Sequence, residues 1–147
     1  MSEETRPVLR AALDDVLVTS PYLRFLGVRA GDDAGAVVLV LPASERHIGD
    51  ADRGSVHGGV LAAFAEAAAR VHLLALGVAS TVETVDLTVE FLREAAIVDT
   101  VAAVDVVRVG RRFATVRVDL RQGEVRRAVA AAQGTFRLRH ENPSAAR

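Results

Sequence analysis

Two hydrophobic periods divide the chain at about Gly77. Before it, apolar residues recur at helical spacing or in short runs; after it, they alternate with polar ones. Val8, Leu9, Ala12, Leu13 and Val16 mark one helical face, with Thr5 placed to cap the helix and Pro7 in its first turn. Ser20 and Pro21 interrupt the pattern, and Tyr22 to Leu26 fit one more short turn before Gly27. Strands are predicted over Val28 to Asp32 and Ala36 to Leu41, turning through Asp32, Asp33 and Gly35, followed by a polar loop from Pro42 to Ser55. His57 to Leu76 then reads as the long helix. It is apolar nearly all round, through Val60, Leu61, Phe64, Val71, Leu73, Leu74 and Leu76, and a helix without a polar face belongs inside something.

Beyond Gly77 the period becomes two. Val85, Leu87, Val89 and Phe91 alternate with Thr84, Asp86, Thr88 and Glu90, and Ala114, Val116, Val118 and Leu120 alternate with Thr115, Arg117, Asp119 and Arg121. Gly110 separates two such runs, and Gln122 with Gly123 the next two, as hairpin turns require. Four long strands are predicted, over about Thr81 to Leu92, Val98 to Val109, Arg112 to Arg121 and Val125 to Arg139. Long meandering strands after one buried helix predict an α+β fold in which an antiparallel sheet curls round that helix. The expected organisation is an N-terminal helical extension over 1–20, the domain proper over 21–140, and a loose polar tail over 141–147.

Composition narrows the function classes. At 147 residues the chain has the size of one domain with a real core. Half of it is hydrophobic and a quarter charged, which excludes a disordered chain, and a net charge of -1 gives no sign of a nucleic-acid binder or a polybasic membrane patch. Cysteine is absent, so disulfides, thiolate metal sites and thiol catalysis are excluded together. The start, MSEETRPVLR, is acidic and lacks the apolar core of a secretory signal, and Glu66, Arg70 and His72 interrupt the most apolar stretch, which argues against a membrane span. A cytoplasmic location is the expectation.

The densest chemistry lies between Gly54 and His72, in GSVHGGVLAAFAEAAARVH. Gly58 and Gly59 stand where a loop enters the buried helix, and glycine there lets a ligand approach the backbone. The first helical N–H groups have no intrahelical partner and carry the positive end of the dipole, so such a terminus can hold an oxygen that becomes anionic during reaction. Glu66 lies more than two turns further on, among Phe64, Ala65, Ala67 and Ala68. A carboxylate in an apolar setting can serve as general base or nucleophile. It can equally pair with Arg70 one turn later, and the spacing leaves both readings open. His47, His72 and His140 have no partner at metal or triad spacing, and Asp86 reads as a structural hydrogen-bonding residue.

The helix entry HGG-x6-E resembles the PaaI-like branch of the hotdog-fold acyl-CoA thioesterases. So do TVDLTVEFLREA from Thr84 to Ala95, VVRVGRRFATV from Val106 to Val116 and AAAQGTF from Ala130 to Phe136. The resemblance runs from about Pro21 to Leu138 and implies the same architecture, a long helix wrapped by an antiparallel sheet. It implies that Glu66 attacks the thioester carbonyl or activates a water that does, and that the Gly58 N–H polarises the thioester oxygen. It also implies that Gly59 allows the close approach, that His57 shapes the loop, and that Thr84 orients the water from a neighbouring subunit. No cofactor or metal is implied, and a homodimer or homotetramer with sites spanning two subunits is.

The sequence departs from that family in the loop before HGG, where Asp50, Ala51 and Asp52 stand in place of the usual amide. Asp50 can accept a hydrogen bond from water but, when ionised, cannot donate one. Glu94 stands where proline is common. Arg93, Arg111 and Arg112 are the candidates for holding the phosphates of coenzyme A, since arginine suits such groups, although arginines in turns are also simply solvated. The acyl pocket is unassigned: Tyr22, Phe25, Phe64 and Phe91 line it or fill the core. The leading expectation is an enzyme that hydrolyses a small or aromatic acyl-CoA. The alternative is a non-catalytic acyl-CoA-binding or sensing module on the same fold, and a dehydratase or hydratase ranks last.

Overall fold

The computed structural model describes residues 5–33, 35–124 and 127–141. Helix α1 (Thr5–Thr19) buries Leu9, Ala12, Leu13 and Val16 against the long helix, as its spacing predicts, whereas Val8, read with the same face, is exposed. Thr5, expected as its cap, is the first described residue of the helix; what precedes it, and its own side chain, lie outside the described residues. Ser20 and Pro21 break the helix by starting another, α2 (Pro21–Leu26): the Ser20 hydroxyl accepts from Leu23 N and the proline takes the first turn, where its missing N–H costs nothing. Gly27, at φ 73°, closes α2 with its N–H on the Arg24 carbonyl.

Strands β1 (Arg29–Asp33) and β2 (Ala36–Leu41) form the first hairpin; Ala34 in its turn lies outside the described residues. The expected polar loop is more ordered than the sequence suggests. It contains a short 3-10 turn at Glu45–His47 and a small hairpin of β3 (Ile48–Asp50) and β4 (Ser55–Val56). Helix α3 (Gly58–Ala75) follows, with Phe64, Ala65, Ala68, Ala69, Val71 and Leu73 fully buried. By length and composition α3 would suit a membrane, but here the sheet and α1 bury its apolar residues.

The remaining strands are β5 (Thr81–Phe91), β6 (Thr100–Val109), β7 (Phe113–Gln122) and β8 (Arg127–Arg139). All pairings in the six-stranded sheet are antiparallel, in the order β1-β2-β6-β7-β8-β5. β6 starts later than the expected Val98 because Asp99 turns outward, accepting from Ala43 N and pairing with Arg29 at 2.8 Å. Val125 and Arg126, the expected start of the last strand, and 142–147 of the expected tail lie outside the described residues.

The alternation in β5 does not run through as one face. A bulge interrupts its pairing with β8: Thr84 faces Phe136 and Asp86 faces Thr135, leaving Val85 unpaired and exposed. Val82 and Thr84 point toward the helix side before the bulge, and Leu87 and Val89 after it. The bulge holds because Asp86 Oδ1 accepts from Thr135 N and because residue 134 is glycine; a Cβ there would stand 2.6 Å from the Asp86 carbonyl oxygen. Gly134→Ala is therefore expected to destabilise the fold by about 1–3 kcal/mol, the usual cost of forcing atoms into a packed site. A thermal unfolding midpoint equal to wild type would refute this account of the bulge.

Candidate active site

The site is built on one end of α3 and on the bulge beside its middle. His57 caps α3: its backbone is extended, and its Nδ1 accepts the Gly59 N–H at 2.9 Å. Its carbonyl accepts from Val60 and Leu61, and its own N–H donates to the His47 carbonyl at 2.7 Å, so the β3–β4 hairpin fixes where the helix begins. The cap uses the Gly59 N–H and leaves that of Gly58 without a partner among the described residues. Both glycines matter sterically. A Cβ on Gly59 would stand 2.9 Å from His57 Nδ1, and one on Gly58 would stand 3.1 Å from the ring of Phe91. Phe91, which the sequence left between pocket and core, is thus a largely exposed ring lying over the helix terminus.

Glu66 is half-buried and does not pair with Arg70. Arg70 turns away and donates from Nε to the Val82 carbonyl at 3.2 Å, while Glu66 Oε1 accepts from Thr84 Oγ1 at 2.6 Å. The hydroxyl aligns one carboxylate oxygen and leaves the other for a substrate or water. The resemblance implies Thr84 acting from a neighbouring subunit; here its hydroxyl meets Glu66 of its own chain, because the bulge turns it inward. Sequence reasoning missed this contact. The only local signal was a glycine in the strand run around Gln133, which often marks a bulge or close backbone approach.

Asp50 sits at the end of β3, exposed, with Oδ1 accepting from Asp52 N and Arg53 N and with Oδ2 3.6 Å from Arg53 Nε. Its carboxylate shapes the hairpin that positions His57. Asp50→Asn keeps the Oδ1 acceptor and loses only an exposed ion pair, typically worth about 0–1 kcal/mol. Activity at neutral pH should stay within about twofold of wild type or rise; a large loss would make Asp50 itself catalytic.

The arginine candidates are split between two ends of the sheet. Arg93 follows Phe91 at the Gly58 end, and its Nη1 donates to the Ala128 carbonyl. Arg111 and Arg112 fill the exposed turn between β6 and β7, where the Arg112 carbonyl accepts from Leu138 N, level with Val82 at the other end of β5. His47 is buried with Nε2 unpartnered, burial lowers the pKa of His72 below the ordinary histidine value, and among the described residues neither is hydrogen-bonded to Glu66. Among the described residues no three histidines or carboxylates converge as a metal site.

Residues 47–137, which include both ends of this site, match the acyl-CoA thioesterase N-terminal domain family. Among solved structures, a protein of the thioesterase superfamily is 27% identical over 89% of this chain and 98% of its own, with a TM-score of 0.76. A thioesterase from Haemophilus influenzae is 21% identical, covering 84% of this chain and 86% of its own at a TM-score of 0.72. A phenylacetic acid degradation-related protein from Ralstonia eutropha is 24% identical, covering 81% and 91% at 0.68. No curated protein matches the chain. These likenesses support the central helix wrapped by an antiparallel sheet.

Proposed function

The chain belongs to the acyl-CoA thioesterase N-terminal domain family, and from that premise we propose that it hydrolyses a small or aromatic acyl-CoA to the free acid and coenzyme A in sites shared by two copies of the chain. The observation that carries the shared site is a distance. Gly58 and Glu66 are eight residues apart on one helix, so their backbone positions are separated by about 12 Å along its axis. A donor must come within about 3 Å of the carbonyl oxygen, and the base must work on the same carbon. A separation of that size favours a site whose donor and carboxylate come from different chains.

Two chains can supply them together. β5 is an edge strand of eleven residues with an open side, and such edges attract pairing. The opposite edge, β1, is short and carries Arg29, Asp32 and Asp33. Antiparallel self-pairing of β5 about a two-fold axis near its middle brings the Phe91 end of one copy beside the Thr84 end of the other. Phe91 covers Gly58, and Thr84 holds Glu66. The same rotation brings the Arg93 end of one copy to the Arg111–Arg112 end of the other, where all three can serve the nucleotide.

In the general-base route, Glu66 takes a proton from water as its oxygen adds to the thioester carbon. The charge that develops on the carbonyl oxygen meets the Gly58 N–H of the partner subunit. Collapse breaks the C–S bond, and the proton passes from Glu66 to the departing sulfur. In the nucleophilic route, a Glu66 oxygen adds to the thioester carbon and the C–S bond breaks as coenzyme A leaves. Water then opens the resulting anhydride to the acid and free Glu66, using the same donor. The test is thiol release from a panel of short, long and aromatic acyl-CoAs, read with a thiol-reactive dye to which this cysteine-free protein adds no background. Turnover is expected. Silence across the panel with CoA esters still bound would replace the enzyme with a binding module.

A further inference from the structure

Resting on that reading, we infer that the acyl group is a short one ending in a carboxylate, and that Arg70 receives that carboxylate. A cavity of about 90 Å³ opens beside Glu66, between the start of α2 and α3. Ser20, Tyr22 and Leu23 line one wall, and Ala63, Ala67 and Arg70 the other. The α3 residues fall three and four apart with Glu66, so they share one stripe of the helix, and the two alanines leave the space open.

Size limits the occupant first. The space is smaller than the engineered cavity of about 150 Å³ that encloses benzene, and it is open on one side, so it receives the end of an acyl chain more readily than a whole aromatic ring. The wall is held firmly. Tyr22 stacks on Phe25 with centroids 6.4 Å apart, the Arg46 guanidinium lies 5.8 Å above Phe25, and Arg24 ties α2 to the Leu17 and Val18 carbonyls of α1.

Polarity selects the far end of the chain. Arg70 uses only Nε, on the Val82 carbonyl; neither Nη atom has a partner among the described residues, and Glu66 is aligned by Thr84 instead. A guanidinium with its outer nitrogens open is a fork for a carboxylate. Residues one turn apart have Cβ atoms about 5–6 Å from each other, a span that a diacid of about four carbons bridges from the thioester at Glu66 to Arg70. A purely apolar chain would instead lie against a cation, with the Tyr22 ring, one leucine and two alanines as its apolar neighbours.

The test compares succinyl-CoA with butyryl-CoA, which have the same chain length. Wild type is expected to show at least about tenfold higher kcat/KM for succinyl-CoA. Arg70→Gln should lower the succinyl-to-butyryl preference by about 10-fold or more, through a larger fall on succinyl-CoA than on butyryl-CoA, and Arg70→Lys should recover part of that preference. A wild-type preference for butyryl- or benzoyl-CoA, or an equal fall on both substrates in Arg70→Gln, would overturn the inference and leave Arg70 as an anchor for β5. If no thioester is turned over, the catalytic reading fails, and equilibrium binding to Glu66→Gln decides the inference by itself. Tighter, Arg70-dependent binding of succinyl-CoA would sustain it, and equal binding of the two esters would end it.

Discussion

Glu66→Ala is expected to lower acyl-CoA turnover by about 10³-fold or more while leaving the unfolding midpoint and coenzyme A binding close to wild type. Removing a general base costs about 10²–10⁴ in rate, and removing a nucleophile costs at least as much. The structural cost is small because Glu66 holds no element in place. Its one side-chain hydrogen bond among the described residues comes from Thr84, a half-buried hydroxyl that can turn to water once the carboxylate is gone. Arg70, the residue that would suffer in a salt-bridged arrangement, keeps its bond to the Val82 carbonyl. Glu66→Gln sharpens the test, since it preserves an acceptor for Thr84 and removes only the proton acceptor. Steady-state kinetics with a thermal melt on the same samples provide the check. Activity above about 5% of wild type in Glu66→Ala would take Glu66 out of the mechanism.

How much of this site could be read beforehand follows from how local each determinant is. Helix α3 is legible because its apolar residues surround it, and its start is legible because His57, Gly58 and Gly59 are consecutive. The partner of Glu66 is not legible. An i,i+4 arginine is a local signal, whereas the competing hydroxyl of Thr84 arrives from another element, and only after a bulge reverses the facing of β5. That bulge depends on Gly134 and Asp86 meeting across two strands, 48 residues apart in sequence, so strict alternation gives Val85 the wrong face. The loop before the helix hides its order for a similar reason. Asp50 reads as an acceptor for water in place of the usual amide, but its carboxylate instead collects two N–H groups as a turn closes.

The inter-subunit site can be tested by complementation, because each half of the machinery is separable in one chain. Glu66→Ala removes the carboxylate and keeps the Gly58 donor. Gly58→Pro does the reverse: proline has no N–H, yet it suits the first position of a helix. The residue before a proline must be extended, and His57 already is, at φ -62° and ψ 131°. The ring would press on Phe91, so Gly58→Ala, which adds a similar Cβ but keeps the N–H, measures that steric effect separately. Each of Glu66→Ala and Gly58→Pro should be nearly inactive alone. Co-expressed, they pair at random, half of the dimers are mixed, and each mixed dimer carries one intact site, made from Gly58 of the first chain and Glu66 of the second. About a quarter of wild-type activity should therefore return. A site contained within one chain predicts no recovery at any mixing ratio. Recovery would show that Gly58 of one copy meets Glu66 of another, the juxtaposition that a two-fold pairing of β5 supplies by bringing the Phe91 end of one copy to the Thr84 end of the other.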